Sequence, residues 1–525
     1  MEIFWKSTRE SRYLMEIPWG YNGLGEIVYL RTYSRWMEKE NRGEVWSESI
    51  ERVIRGTRDL NAQLTTHEED SLRDHMMSLR GTVSGRALWM LGTKMVDIAH
   101  QDALNNCYFS SVTKADDFRW IMDRLMVGGG VGFSVERTDA YQLPTVQKTV
   151  IIHERTADAD HIVSDTRKGW STLIDHVIKA HFKGEDFTYS TLLVRGYGAP
   201  LKTFGGTASG PQALIDGVTD ICKVMCTRSG KRLRSVDVLD IVNIIGRIVV
   251  AGSSRRSAQI SLGDQDDTLF LKAKKWSDGN VPAWRANSNN TVIVDNFSEI
   301  ADNTLFWNNF NGGSEAYGLF NRKLSRAVGR TKEKRVDNTI VGGNPCLEVT
   351  LGNKESCNLA TIWLPNIRTF DEFIDLSSIL YKIQKATALL PHPSKESEAI
   401  IHKNLRLGQS VAGILQATDE QRAWLSPAYE SLRALDSSWS KHLGVRESVR
   451  LTAIQPNGTL GLVGGTTPGI HPAYDRFYIR RVRFGSNDPL VEACRNKGYP
   501  VVPEIGLDGA VDHTRFVVEF PCEAP

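Results

Sequence analysis

Asn344, Cys346 and Glu348 are spaced two apart in the run Asn344-Pro345-Cys346-Leu347-Glu348, and in an extended segment that spacing turns an amide, a thiol and a carboxylate to one side of the chain. A carboxylate beside a thiol disfavours the thiolate. The trio is therefore a poor device for nucleophilic attack and a better one for a neutral thiol next to a general base. Hydrogen-atom chemistry calls for that neutral thiol. Cys357 follows in Glu355-Ser356-Cys357-Asn358-Leu359, and Cys107 precedes in Asn105-Asn106-Cys107-Tyr108-Phe109. Three cysteines are expected to meet, and a dithiol that closes to a disulfide is a two-electron donor.

The elements that must position these residues read as two regions. Residues 1–100 are expected to be mainly helical, including the charged, Trp-punctuated stretch from Trp36 to Trp46, and residues 101–525 to form one large α/β catalytic body. In the second region, apolar runs such as Thr149–Ile152 and Tyr189–Val194 alternate with helical periods and glycine turns, as parallel βα units do. Val238, Leu239, Val242, Ile245 and Ile248 recur at helical spacing with Asp240, Asn243 and Arg247 between them, which predicts an amphipathic helix ending at Gly252. Phe516–Phe520 reads as a strand stopped by Pro521.

Other clusters have plainer readings. Cys222 and Cys226 lie four apart without a zinc-like partner pair and are assigned to core packing. Gly128–Gly132 lacks dinucleotide-loop and P-loop spacing and reads as a tight packing turn. Asp264, Asp266 and Asp267 lack the central glycine and distal glutamate of a calcium loop and read as a solvated turn. His471 is positional, and Lys332–Arg335 is an exposed mixed-charge face. No metal ligand set is expected from the side chains.

Composition excludes several classes. The chain of 525 residues carries 64 basic and 62 acidic side chains, a net charge of +2, so electrostatic capture of nucleic acid is not its trade. With 41% hydrophobic and 24% charged residues it has the balance of a folded globular protein. Seven irregularly spaced cysteines do not make a disulfide scaffold and suit a reducing, cytoplasmic compartment. The longest apolar stretch, Val236–Ala251, is interrupted by charges and does not suit a bilayer.

Several segments, in order, resemble the monomeric, adenosylcobalamin-dependent ribonucleoside-triphosphate reductases: Tyr29–Trp36, Gly130-Val131-Gly132-Phe133-Ser134, Asp165–Trp170, Phe204–Pro211, Arg255–Ile260, the Asn344–Glu348 run and Pro456-Asn457-Gly458-Thr459. The resemblance spans about residues 25–520. It implies a ten-stranded α/β barrel of two parallel half-sheets with Cys346 on a central finger loop, preceded by the helical N-terminal region. It also implies reduction of ribonucleoside triphosphates to 2′-deoxyribonucleoside triphosphates with adenosylcobalamin as radical source. Cys346 would become a thiyl radical and take hydrogen from C3′, Glu348 would be the base on the 3′-hydroxyl, and Asn344 would bind the substrate hydroxyls. Cys107 with Cys357 would supply two electrons at C2′. Pro456, Asn457, Gly458 and Thr459 would form a phosphate loop, with Gly205, Gly206, Arg255 and Arg256 on substrate-specificity loops near base or phosphate.

The resemblance further implies a deoxynucleoside triphosphate effector, a thioredoxin-like or dithiol reductant, and a monomer that engages neither nucleic acid nor membrane. Two departures stand out. The family continues beyond a strand like Val517–Phe520 into further barrel elements and a cysteine-bearing tail, which leads to the expectation of a missing C-terminal portion or a separate C-terminal polypeptide. Lys168 stands where the family more often has an acidic residue. The alternatives are a reductase of the same superfamily with a partner-derived or glycyl radical, and a catalytically silent nucleotide-binding scaffold.

Overall fold

The computed structural model describes residues 17–199, 208–251, 258–312, 317–327, 336–486, 488–506 and 509–524. The chain divides into two compact units, one of residues 1–106 and 357–525, the other of residues 107–356.

The 107–356 unit is α/β. Five parallel strands lie in the order Gly318–Phe320, Ser288–Ile293, Gln259–Asp264, Gly130–Ser134, Cys107–Ser111. Strands Cys107–Ser111 and Gly130–Ser134 are joined through helix Ala115–Met126, the crossover that a parallel pair requires. A second, three-stranded parallel sheet contains Ile151–His153, Phe187–Ser190 and His161–Ile162. The Phe187–Ser190 strand ends sooner than the Tyr189–Val194 run predicts, and Leu192 and Leu193 are exposed.

Helix Ser235–Val250 corrects the expectation of an amphipathic helix. Asp237, Asp240 and Asn243 are buried along with the aliphatic positions, so the helix is enclosed nearly all round. Each of these three side chains has at least one partner, although Asn243 Oδ1 has none among the described residues. Asp240 receives Arg285 at 2.6 and 2.7 Å and Trp284 Nε1 at 2.9 Å, Asp237 binds Arg234, and Asn243 Nδ2 donates to the Leu239 carbonyl at 3.0 Å. The Asp264–Asp267 turn is likewise not simply solvated. Asp264 and Asp266 bind Arg137, while buried Asp267 caps helix Thr268–Leu271 and accepts from Ser235.

In the other unit, Leu24–Thr32, Trp46–Asp59 and Thr66–Met77 are helices, and Trp36–Met37 and Arg42–Gly43 pair as an antiparallel hairpin. Strands Ser356–Trp363 and Leu407–Ala412 are parallel, and Gly81–Val83 adds antiparallel to the first, a mixed sheet covered by helix Phe370–Ala388. A buried Lys385–Asp436 pair, also bonded to Tyr381 and Ser448, ties that helix to Leu425–Leu443. Residues 477–523 form an antiparallel sheet in which strand Val511–Glu523 is central. Pro521 does not stop this strand. It lies opposite Ile479 beyond the stretch paired with Val501–Ile505, where the missing N–H costs no ladder bond on that side. No helix among the described residues is long and apolar enough to cross a membrane.

Candidate active site

The Asn344–Glu348 run is the turn of a hairpin rather than an extended strand. Gly342–Gly343 and Thr350–Leu351 pair antiparallel, and Leu347 takes a left-handed φ of 57°. Fully buried Asn344 staples the turn. Its backbone N–H donates to the Val349 carbonyl at 3.1 Å, its Oδ1 accepts from the Val349 N–H at 3.0 Å, and its carbonyl accepts from Leu347 at 2.8 Å. Its buried Nδ2 has no hydrogen-bond partner among the described residues. Period-two alternation therefore does not operate here, and the turn itself sets where the three side chains point.

Two glycines seat this hairpin. In strand Gly130–Ser134, Val131 and Phe133 face the core while Gly130 and Gly132 face the hairpin. A Cβ on Gly132 would lie 2.0 Å from the Gly343 carbonyl oxygen, and one on Gly130 would lie 2.8 Å from Pro345 Cγ. The Gly128–Gly132 run is thus a packing device, as its sequence suggests, but much of the packing is on the strand face. The alternation Gly-Val-Gly-Phe is the signal that identifies that face.

Cys346 is solvent-accessible, Cys107 is half-buried, and Cys357 is buried. Although Cys346 can be reached from outside, loss of hydration around its sulfur pushes the thiol up to about 12, with the negative charge of Glu348 and then the neighbouring Cys107 thiol acting in the same direction. Cys346, Glu348 and Cys107 are therefore close enough to share one electrostatic environment. The result is an accessible thiol that keeps its proton at neutral pH. Because the folded value lies above the ordinary 9.0, the native state binds that proton more tightly, and the associated stability is present below pH 9 and lost as pH rises toward 12. At pH 8 Cys346 is expected to react with iodoacetamide on the order of 10²–10³-fold more slowly than an ordinary exposed thiol, since only the thiolate reacts. Peptide mass spectrometry of timed alkylations measures this, and a normal rate would contradict it.

The backbone N–H of Asn106, the residue before Cys107, donates to the Cys357 carbonyl at 3.2 Å. In the Pro456–Thr459 loop, Pro456 and Gly458 are exposed and Asn457 is buried with φ 52°. Asn457 Oδ1 accepts from Thr361 at 3.2 Å, and its buried Nδ2 has no partner among the described residues. Arg480 donates to the Gly458 carbonyl at 3.1 Å, and the short helix Leu460–Val463 begins directly after Thr459. Gly205, Gly206, Arg255, Arg256 and Lys332–Arg335 lie outside the described residues. Cys222 packs against the core, whereas Cys226 is at the surface, its Sγ 4.0 Å from His181 Nε2, which corrects its assignment to the core. His471 is exposed. No group of three metal-ligating side chains occurs among the described residues.

Residues 9–93 match the ribonucleotide reductase alpha domain, and residues 133–225 match the insertion domain of B12-dependent ribonucleotide reductases. The chain is 31% identical to the adenosylcobalamin-dependent ribonucleoside-triphosphate reductase of Lactobacillus acidophilus, over 97% of this chain and 80% of the relative. It is 33% identical to the enzyme of the same name from Euglena gracilis, over 97% of this chain and 71% of the relative. A solved B12-dependent, class II ribonucleotide reductase superposes with a TM-score of 0.79 at 27% identity, covering 97% of this chain and 82% of that one.

Proposed function

Because the chain belongs to the adenosylcobalamin-dependent ribonucleoside-triphosphate reductases, we propose that Cys346 is the residue on which its hydrogen-atom chemistry runs. The carrying observation is the thiol itself, reachable from solvent yet held protonated beside Glu348 and Cys107. Such a donor fits the cofactor's chemistry. Adenosylcobalamin, when bound, supplies a cobalt–carbon bond that breaks homolytically and so provides the organic radical that no side chain generates unaided.

Cys346 gives up its hydrogen atom, and the resulting thiyl takes hydrogen from C3′ of the ribose. Glu348 accepts the proton of the 3′-hydroxyl and returns it to the C3′ oxygen as the sugar is reduced, while the C2′ hydroxyl takes a proton from one thiol of the reducing pair and leaves as water. Cys107 and Cys357 supply two electrons and a hydrogen for C2′ and close to a disulfide, and Cys346 returns its hydrogen to C3′. The sum is one ribonucleoside triphosphate and one dithiol converted to one deoxyribonucleoside triphosphate, one water and one disulfide. The unpaired Nδ2 of Asn344 suits a substrate hydroxyl, and that of Asn457, in the Pro456–Thr459 loop, suits a phosphate oxygen. Gly205, Gly206, Arg255 and Arg256 belong by resemblance to the specificity loops.

The wider reading has residues 101–525 as a ten-stranded barrel of two parallel half-sheets, with the 344–349 turn as its central finger and residues 1–100 as a helical flank. It also includes a deoxynucleoside triphosphate effector site, re-reduction by a thioredoxin-like protein or small dithiol, a monomeric state and a cytoplasmic location. Anaerobic incubation of CTP or ATP with the chain, adenosylcobalamin and a dithiol is expected to yield deoxynucleotide only when all components are present. Product formed without the cofactor would overturn the reading.

A further inference from the structure

Lys354 is the least expected residue of the 107–356 unit. Its backbone takes a left-handed φ of 61°, and its side chain is only 2% exposed. Its ammonium lies 2.6 Å from Asp117 Oδ1, itself 1% exposed, donates to Ser110 Oγ at 2.7 Å and stands 4.4 Å from the centre of the Trp120 ring. The other Asp117 oxygen accepts from the N–H groups of Thr113 at 2.8 Å and Lys114 at 2.9 Å, so the pair is anchored to the start of helix Ala115–Met126.

A fully buried ion pair at a strained backbone position is a poor route to stability, because apolar residues of similar volume commonly do as well or better. What such a pair can supply is register. Lys354 belongs to the turn between Leu351 and Ser356, and that turn is fastened to strand Cys107–Ser111 throughout. Ser111 N–H donates to Asn353 Oδ1 at 2.9 Å, Lys354 N–H donates to the Phe109 carbonyl at 2.9 Å, and Phe109 N–H donates to the Glu355 carbonyl at 3.1 Å. The strand begins with Cys107, and the turn ends at Glu355, two residues before Cys357. A slip of one residue would invert the side chains of the strand relative to the turn.

We propose that Lys354, through Asp117 and Ser110, is a positioning residue that holds the strand starting at Cys107 in register with the segment leading into Cys357, and so sets the rate at which the two thiols can join. This rests on the assignment of Cys107 and Cys357 as the reducing pair. It assigns Lys354 no contact with substrate.

The test needs no cofactor. The chain is treated with an azodicarboxamide oxidant, whose N=N bond takes up the two hydrogens lost as the disulfide forms, and the Cys107–Cys357 bond is followed by peptide mass spectrometry. The double variant Lys354→Met/Asp117→Leu removes both charges without leaving one buried alone, and Ser110→Ala removes only the contact to the strand. With melting temperatures close to that of the unaltered chain, the double variant is expected to form the disulfide at least tenfold more slowly, and Ser110→Ala severalfold more slowly. In turnover the double variant is expected to lower kcat while leaving KM for the nucleotide unchanged. An unchanged disulfide rate in a folded double variant overturns the proposal. Should that variant fail to melt cooperatively, an unchanged rate in Ser110→Ala overturns it instead. If the unaltered chain does not join Cys107 to Cys357 at all, the assignment of the reducing pair fails rather than the role of Lys354.

Discussion

Cys346→Ser is expected to lower deoxynucleotide formation on the order of 10⁴-fold or more, equivalent to about 5.4 kcal/mol of lost transition-state stabilisation. Serine is close to cysteine in size, and the backbone bonds that shape the turn run through Asn344, Leu347 and Val349 rather than through the Cys346 side chain. The hairpin should therefore persist, and binding of nucleotide and adenosylcobalamin should be unchanged. Only the S–H group is lost, and an alcohol does not exchange hydrogen atoms as a thiol does. Anaerobic turnover with excess dithiol, alongside equilibrium binding of both ligands, measures the effect. Activity within tenfold of the unaltered chain would remove Cys346 from the centre of the mechanism.

Gly132→Ala is expected to lower kcat by about 10²-fold or more although the substitution adds one methyl group and touches no reacting atom. The new Cβ would lie 2.0 Å from the Gly343 carbonyl oxygen and 2.9 Å from the Phe109 ring. Ordinary contact begins near 3.4 Å, so the hairpin must retreat by 3.4 − 2.0 = 1.4 Å, or the strand must bend. The obstructing atom is backbone and cannot rotate away. Overpacking of this kind costs about 1–3 kcal/mol of stability, and an ångström of misplacement at a reacting group costs about a hundredfold in rate. Gly196→Ala is the control, since its Cβ would meet nothing within 4 Å. Turnover and thermal melting of both variants check this. Near-normal kcat in Gly132→Ala would mean that the seat of the hairpin on the strand does not set the position of Cys346.

The candidate site could be proposed from the sequence because the chemistry assigned to it rests on residue types at short spacing. Asn344, Cys346 and Glu348 declare a neutral thiol beside a base whatever backbone carries them, and the raised Cys346 value follows the direction that a neighbouring carboxylate imposes. Parallel βα alternation was equally local, since apolar period and glycine punctuation are properties of consecutive residues.

Residue types and their order along the chain thus carried the chemical inventory, the succession of motifs and the α/β class. The tertiary structure decided which faces are covered and by what. Helix Ser235–Val250 carries its polar residues at amphipathic spacing, yet Trp284 and Arg285 arrive from 44 and 45 residues away to bury Asp240. The Asn344–Glu348 run alternates like a strand, yet antiparallel pairing of Gly342–Gly343 with Thr350–Leu351 bends it into a turn. Lys354 meets Asp117 and Ser110 across more than 230 residues of chain, and nothing near any of the three announces the others. The physical reason is common to all three cases. Local sequence fixes what a side chain can do and the period it follows, whereas burial and partner are settled when distant segments pack, and the free energy of a polar group depends on that partner more than on its neighbours in the chain.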